Sequence, residues 1–175
     1  KLIQTFIQQS TLCGLFCQFN SHGVVLAAET RDDEADAFKK AGYHVHVMTS
    51  GLAPGNVILC NDSAAIVSPK ISQKEAETIA GVLRVPVTRQ GFSGMPTIGA
   101  TSALTNAGLF AYNDVTEVEF KHMQKILGVQ GINGTANGGT PFNALSIVAN
   151  SRGALVGDLT TGVETQRIFE ALGGG

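Results

Sequence analysis

The chain has no apolar run near the roughly 18 residues that a membrane span requires, and no charged start leading into an apolar stretch of the kind that marks a secretion signal. It has no excess of base either: 12 Lys and Arg stand against 14 Asp and Glu, a formal net charge of −2. A sheath of positive charge, which drives nucleic-acid binding by counterion release, is therefore excluded as the main source of affinity. There is no CxxC pair; Cys13, Cys17 and Cys60 form an odd, scattered set, which reads as reduced thiols in a cytosolic protein. The first residue is Lys1 and not Met, so an upstream segment is expected to have been removed or left out. Charged residues are scarce, at 15%, but 43% of the chain is hydrophobic, and that excludes intrinsic disorder.

What is abundant is glycine, 21 of 175 residues, against a usual share of about 7%. Proline is ordinary at 5, so the excess points to many tight turns in an ordered chain. The length suits one domain.

One phrase returns four times: an apolar run, an Asn, a short turn, a second apolar run. It is centred on Asn20, Asn61, Asn106 and Asn150, at intervals of 41, 45 and 44 residues. Asn and Gly tolerate positive φ, so each phrase predicts a β-hairpin. A helical pattern follows each. Arg31-Asp32-Asp33-Glu34 opens the first and Ser72-Gln73-Lys74-Glu75, a capping box, the second. Thr116-Glu117-Val118-Glu119 and Thr161-Gly162-Val163-Glu164 open the third and fourth. Acids in each first turn suit the helix dipole, and glycine past the end suits a C-cap. A third strand is predicted at residues 43–48, 84–89 and 129–133. Pro54-Gly55, Met95-Pro96 and Thr140-Pro141 mark turns at the joints. The expected organisation is α/β, a single repeat domain over residues 1–175. Its units are roughly 14–54, 55–98, 99–142 and 143–175, with residues 1–8 as an extra strand.

The residues that could carry chemistry have simpler explanations. His44 and His46 share a strand face, but a metal needs a third ligand and none is near in sequence, so they read as exposed strand residues. His22 and His122 read as surface residues. The Gly131–Thr140 run has the glycines of a phosphate loop, yet no helix N-terminus follows it, and a unit-to-unit turn is the better reading. Asp32-Asp33-Glu34 is explained by capping, and Cys60 at a strand end by packing. No nucleophile–base pair or carboxylate pair stands in a recognisable context. No catalytic group, metal, cofactor or small-molecule substrate is expected.

In its ordered motifs the chain resembles archaeal and eukaryotic translation initiation factor 6, the ribosome anti-association family. The resemblance is closest in Ala53-Pro54-Gly55-Asn56-Val57-Ile58-Leu59-Cys60-Asn61-Asp62, then Ile66-Val67-Ser68-Pro69 and Glu75-Ala76-Glu77-Thr78-Ile79-Ala80. It continues in Gly134-Thr135-Ala136-Asn137-Gly138-Gly139-Thr140 and in Ala149-Asn150-Ser151-Arg152-Gly153-Ala154-Leu155-Val156-Gly157-Asp158. It covers most of the chain. The fold it implies is the pentein, an α/β propeller of pseudo-symmetric units of about 44 residues, five in the family and four visible here. Residues 1–42 are most similar to the family's second unit. Either a unit is missing upstream of Lys1, the favoured reading, or this is a four-unit form whose residues 1–8 add to the last sheet and close the ring.

The resemblance implies a factor that binds the large ribosomal subunit near the sarcin–ricin loop, on its intersubunit face, and blocks joining of the small subunit. A role in large-subunit biogenesis is implied too. The partner would be largely ribosomal protein with minor rRNA contact, the protein a cytoplasmic monomer. The contact face implied lies among the turns before each unit's first strand, at Leu15, Gly55, Asn56, Thr101 and Asn143. Asn56 matches the family's Gly-Asn position and stands first, although it also suits a plain turn. Leu15 and Thr101 depart from the Arg and Tyr of eukaryotic members. Two alternatives stand beside this: a four-unit pentein protein without ribosome binding, and a pentein guanidine-modifying enzyme. Those enzymes pair His and Cys late in the chain, whereas the last cysteine here is Cys60.

Overall fold

The structure, a computed structural model, describes residues 3–173. Its first quarter sets the pattern. A one-turn helix α1 (Cys13–Phe16) runs straight into β1 (Cys17–Phe19), and a tight turn returns the chain as β2 (Gly23–Leu26). Helix α2 (Asp32–Lys40) then crosses over and β3 (His44–Val47) comes after it. Strands β1 and β2 pair antiparallel, β2 and β3 parallel; a parallel neighbour needs such a crossover, and the helix supplies it. The second pass is α3 (Pro54–Val57), β4 (Ile58–Cys60), β5 (Ala65–Val67), α4 (Gln73–Leu83) and β6 (Val87–Arg89). The third is α5 (Ile98–Thr101), β7 (Ala103–Leu104), β8 (Leu109–Tyr112), α6 (Glu117–Leu127) and β9 (Gly131–Gly134). The fourth is a 3-10 turn (Asn143–Leu145), β10 (Ile147–Asn150), β11 (Gly153–Val156) and α7 (Gly162–Leu172). The mixed α/β class is borne out: the described residues form three sheets of three strands and one of two, none closed on itself. The first strands β1, β4, β7 and β10 lie in sequence side by side.

Local chemistry explains the elements. Thr116 and Thr161 make full capping boxes with Glu119 and Glu164. Ser72 accepts the Glu75 N–H at 3.1 Å, but the expected box is only half made, because the Glu75 carboxylate turns instead to the Thr49 N–H. Gly128 and Gly173 end their helices with left-handed backbone, as expected. Arg84 does so for α4 with φ 55°, which is why β6 starts at Val87 rather than at 84. Pro54-Gly55 is more than a turn: Pro54 sits at the first position of α3, where its missing N–H is not needed.

The core is shared between neighbours. Val25 and Met48 of the first pass pack with Ile58, Ile79 and Leu83 of the second. Leu59 and Ile66 pack with Met123 and Leu127 of the third. Ala103 and Phe110 pack with Ile168 and Leu172 of the fourth. Each long helix after α2 therefore lies between its own sheet and the preceding one.

Two further expectations of the fold fail. Among the described residues of the segment 1–8 no strand forms; Lys1 and Leu2 lie outside the described residues. Gln8 and Gln9 take φ of 53° and 58°, and Ile7 and Ser10 exchange both backbone hydrogen bonds around them. The segment thus ends in a tight turn. Ile7 is buried with Cys17, Val24, Leu26 and Phe38 of the first pass, and β10 and β11 pair only with each other. The sheet of the first pass already has its third strand, so residues 3–6 pair with no strand among the described residues, though Ile3 packs against the first-pass core. The second failure is one of register: the third hairpin turns on Thr105, not Asn106. The Thr105 hydroxyl accepts the N–H groups of Ala107 and Gly108, as the Asn61 side chain accepts those of Ser63 and Ala64.

Candidate functional site

The short helices α1, α3, α5 and the 3-10 turn pack in a row, each against the next. Backbones touch here. A Cβ on Gly55 would lie 1.9 Å from the Gly14 carbonyl oxygen, and one on Gly99 would lie 2.4 Å from that of Gly55. This row holds all five residues singled out for docking, and it separates them. Leu15 and Asn56 are half-buried, and Asn56 reaches the row only through its backbone, its N–H donating to Ala53 O at 3.0 Å. Thr101 and Asn143 are buried. The Thr101 hydroxyl donates to Thr97 O and Ile98 O, and the Asn143 amide to Thr101 O and Gly134 O. Both side chains turn inward: Thr101 bonds back within its own turn, and Asn143 ties the 3-10 turn to α5 and β9. They hold the row together.

At the other end of the first strands the four hairpin tips surround an open hollow of about 210 Å³. Asn20 Oδ1 accepts the N–H groups of His22 and Gly23, closing the turn. Its amide donates to Leu83 O, at the end of the next pass's helix, at 2.8 Å. Asn61 does the same to Leu127 O at 3.1 Å, and Thr105 to Leu172 O at 3.1 Å. One side chain thus makes the turn and caps the neighbouring helix, satisfying a carbonyl that would otherwise be orphaned. Asp62 links the tips laterally, accepting from Ser21 N–H and from the Asn106 amide, each at 2.7 Å.

A second set of latches joins the passes at the helix starts. Glu34 accepts the Gln8 and Gln9 N–H groups, Glu75 that of Thr49 and Glu119 that of Ser93. Glu164 accepts those of Gly138 and Gly139. The glycine loop that looked suited to phosphate does hold an anion, supplied by the chain itself. Burial works to raise the Glu164 pKa. The N–H groups of Thr161 and Gly139, with the Thr135 hydroxyl, outweigh it and bring it down to about 2. Glu75 is likewise lowered by Thr49 against burial. The Gln9 N–H lowers Glu34, and the Ser93 N–H lowers Glu119.

The remaining chemistry-bearing groups are occupied. Burial pushes the Cys17 and Cys60 thiols up to about 12, which suppresses the reactive thiolate. His44 is exposed and accepts from Arg84 at 2.7 Å. His46 departs from the exposed reading: it is half-buried, its Nε2 3.4 Å from Glu75. Among the described residues no three His, Cys, Asp or Glu side chains converge to hold a metal, and no helix is long and apolar enough to cross a membrane.

Sequence reasoning missed both sets of latches. The signal was present: glutamates at the third position of all four long helices recur with the hairpin period, and a helix-dipole role alone does not require that regularity.

The eIF-6 family model matches residues 1–171. Translation initiation factor 6 of Pyrococcus horikoshii is 35% identical over 179 residues, covering 98% of this chain and 79% of that protein. Its counterpart in Methanosarcina mazei is 36% identical, covering 99% and 78%. The Saccharolobus islandicus protein of the same name is 37% identical, covering 99% and 79%.

Proposed function

The chain belongs to the eIF-6 family, and from that premise we propose that it is a translation factor. It binds the large ribosomal subunit on its intersubunit face and so keeps the small subunit from joining. The observation that carries this reading is the family match, which runs through almost the whole chain. The net charge of −2 supports a docking partner that is mainly ribosomal protein with little RNA contact. A part in large-subunit assembly and a cytoplasmic location belong to the same reading. So does the ring-like pentein arrangement of units 14–54, 55–98, 99–142 and 143–175 as one domain; the side-by-side first strands support it.

The docking face of this reading is the row of short helices, with Leu15, Gly55 and Asn56 toward the ribosome and Thr101 and Asn143 as its internal supports. Two exposed leucines, Leu12 and Leu145, extend it at either end. Co-sedimentation with purified large subunits, together with a subunit-joining assay, tests the function. The protein is expected to pellet with large subunits and to suppress joining; failure in both ends the proposal. Asn56→Arg is expected to weaken pelleting while costing at most ~1 kcal/mol of stability, as substitutions away from the core usually do. Unchanged binding by that variant moves the docking face elsewhere.

A further inference from the structure

The hairpin tips and the C-terminal ends of the long helices meet at one end of the molecule, opposite the row of short helices. The Asn20 amide donates to Leu83 O, that of Asn61 to Leu127 O, and the Thr105 hydroxyl to Leu172 O. Three positions therefore recur together at each internal junction. One belongs to the tip, one stands at the start of the third strand of the same pass, and one ends the helix of the next pass. At the second junction they are Ser63, Pro86 and Gly128; at the third they are Ala107, Gln130 and Gly173. At the first they are His22, His44 and Arg84.

Arg84 stands where its counterparts have glycine. All three helices end on left-handed backbone, with φ of 55° at Arg84, 69° at Gly128 and 114° at Gly173. Glycine takes that conformation freely, whereas a residue with a side chain takes it at a cost. A Cβ on Gly128 would meet nothing within 4 Å, so backbone conformation and not crowding makes glycine the easier choice there. A strained residue kept at such a position is explained by what its side chain does. Arg84 Nη2 lies 2.7 Å from His44 Nε2, and the His44 N–H donates to His22 O at 3.3 Å. All three residues are exposed. Among the described residues Arg84 makes no ion pair. Asp62, the acid that interacts with His22, is already engaged by the Ser21 N–H and hydroxyl and by the Asn106 amide.

We propose that Arg84, His44 and His22 form a site for a phosphate group of an RNA strand. After its contact with His44 the guanidinium keeps N–H donors in a planar fork that suits a phosphodiester, and the imidazoles add further donors. Exposed Lys40, Lys125 and Arg152 spread the same sign of charge over this end. That spread suits a charge repeated along a backbone better than the single carboxylate of an acidic side chain. The formal net charge of −2 does not oppose it, because acids gather in the first turns of the long helices, at the other end. The site lies away from the docking face and stands or falls apart from it.

The test is fluorescence anisotropy of a short labelled single-stranded RNA titrated with the full chain at low salt, and with Arg84→Gly, His44→Ala and Lys121→Ala. The parent is expected to bind. Arg84→Gly is expected to bind at least about tenfold more weakly, and its plot of log affinity against log salt to be shallower by about 1. His44→Ala is expected to lose less, in the same direction. Lys121→Ala removes an exposed charge near the start of α6 and is expected to bind as the parent does. The urea midpoint of Arg84→Gly is expected to equal or exceed that of the parent, since glycine relieves the strained φ. A parent that does not bind RNA overturns the proposal, and so does an Arg84→Gly variant that binds as tightly as the parent. Equal losses in Arg84→Gly and Lys121→Ala would reduce the effect to net charge and overturn it. A lowered urea midpoint in Arg84→Gly would give Arg84 a structural reason and overturn it too. If an oligo-glutamate peptide competes as well as the RNA does, the assignment to RNA is wrong.

Discussion

Ile66 and Leu155 occupy the same place in two hairpins built alike, β4–β5 and β10–β11, each opposite an apolar partner. One is fully buried and the other is among the most exposed apolar residues of the chain. The difference lies in the neighbour that each hairpin has in space. Ile66 is covered by α6 of the next pass, while α7 covers the third sheet and, among the described residues, no helix covers the fourth. The repeating thing is therefore the junction between passes, and a residue's energetic weight depends on which junction it serves more than on its place in the unit.

The glycines offer the largest way to break this comparison. Gly55→Val sets a side chain against the Gly14 backbone carbonyl, and neither backbone can withdraw without opening the row. It is expected to cost more than about 3 kcal/mol, in the range of severe overpacking, by chemical denaturation. Gly14, the same position at the open end, has nothing within 4 Å of an added Cβ. Gly14→Ala is expected to be neutral or to gain up to ~1 kcal/mol, as a helical glycine replaced by alanine does. Equal losses at the two sites would mean that the junctions are not what constrains them.

Next in size is the hairpin pair itself. Ile66→Ala is expected to lose roughly 2–5 kcal/mol through lost burial and the cavity left behind. Leu155→Ala is expected to stay within about 0.5 kcal/mol by the same measurement.

The turn residues sharpen the contrast on a smaller scale. Asn61→Ala removes a buried amide that closes a turn and caps α6, and about 2 kcal/mol is expected to go with it. Asn150→Ala removes only the turn, at a cost of below about 1 kcal/mol.

The last contrast is spread over the four glutamate latches and appears as a pH dependence. Their folded pKa values lie below the ordinary glutamate range, Glu164 furthest, at about 2. The unfolded chain therefore takes up protons first as pH falls. The contribution of the latches is complete above the ordinary glutamate pKa and is lost between there and about pH 2. Glu164→Gln is expected to flatten that part of the stability–pH curve more than Glu119→Gln does.

The range of each interaction decides how much of this was legible in sequence. The four long helices were readable because their caps and apolar spacing lie within a few residues, and Ser72, Thr116 and Thr161 all cap where expected. The hairpins were readable for the same reason, with one slip of register at Thr105, where a hydroxyl does the work of an Asn amide oxygen. Residues 1–8 were misread because apolar alternation marks a strand only if a neighbour exists. Thr101 and Asn143 were placed in the right row but on the wrong side of it, since a one-turn helix carries too few residues for periodicity to show which side is inward. The latches of Glu75 and Asn20 join residues 26 to 63 apart and were invisible to any local pattern.

Native-state amide exchange tests the junction account most directly. The Ala65 N–H donates to Pro86 O at 2.9 Å and the Leu109 N–H to Gln130 O at 3.0 Å, whereas by the same register the Ala154 N–H faces the open edge of β11. In the parent chain, Ala65 and Leu109 are expected to exchange only through near-global opening, and Ala154 faster by orders of magnitude. Equal protection at all three amides would contradict the account.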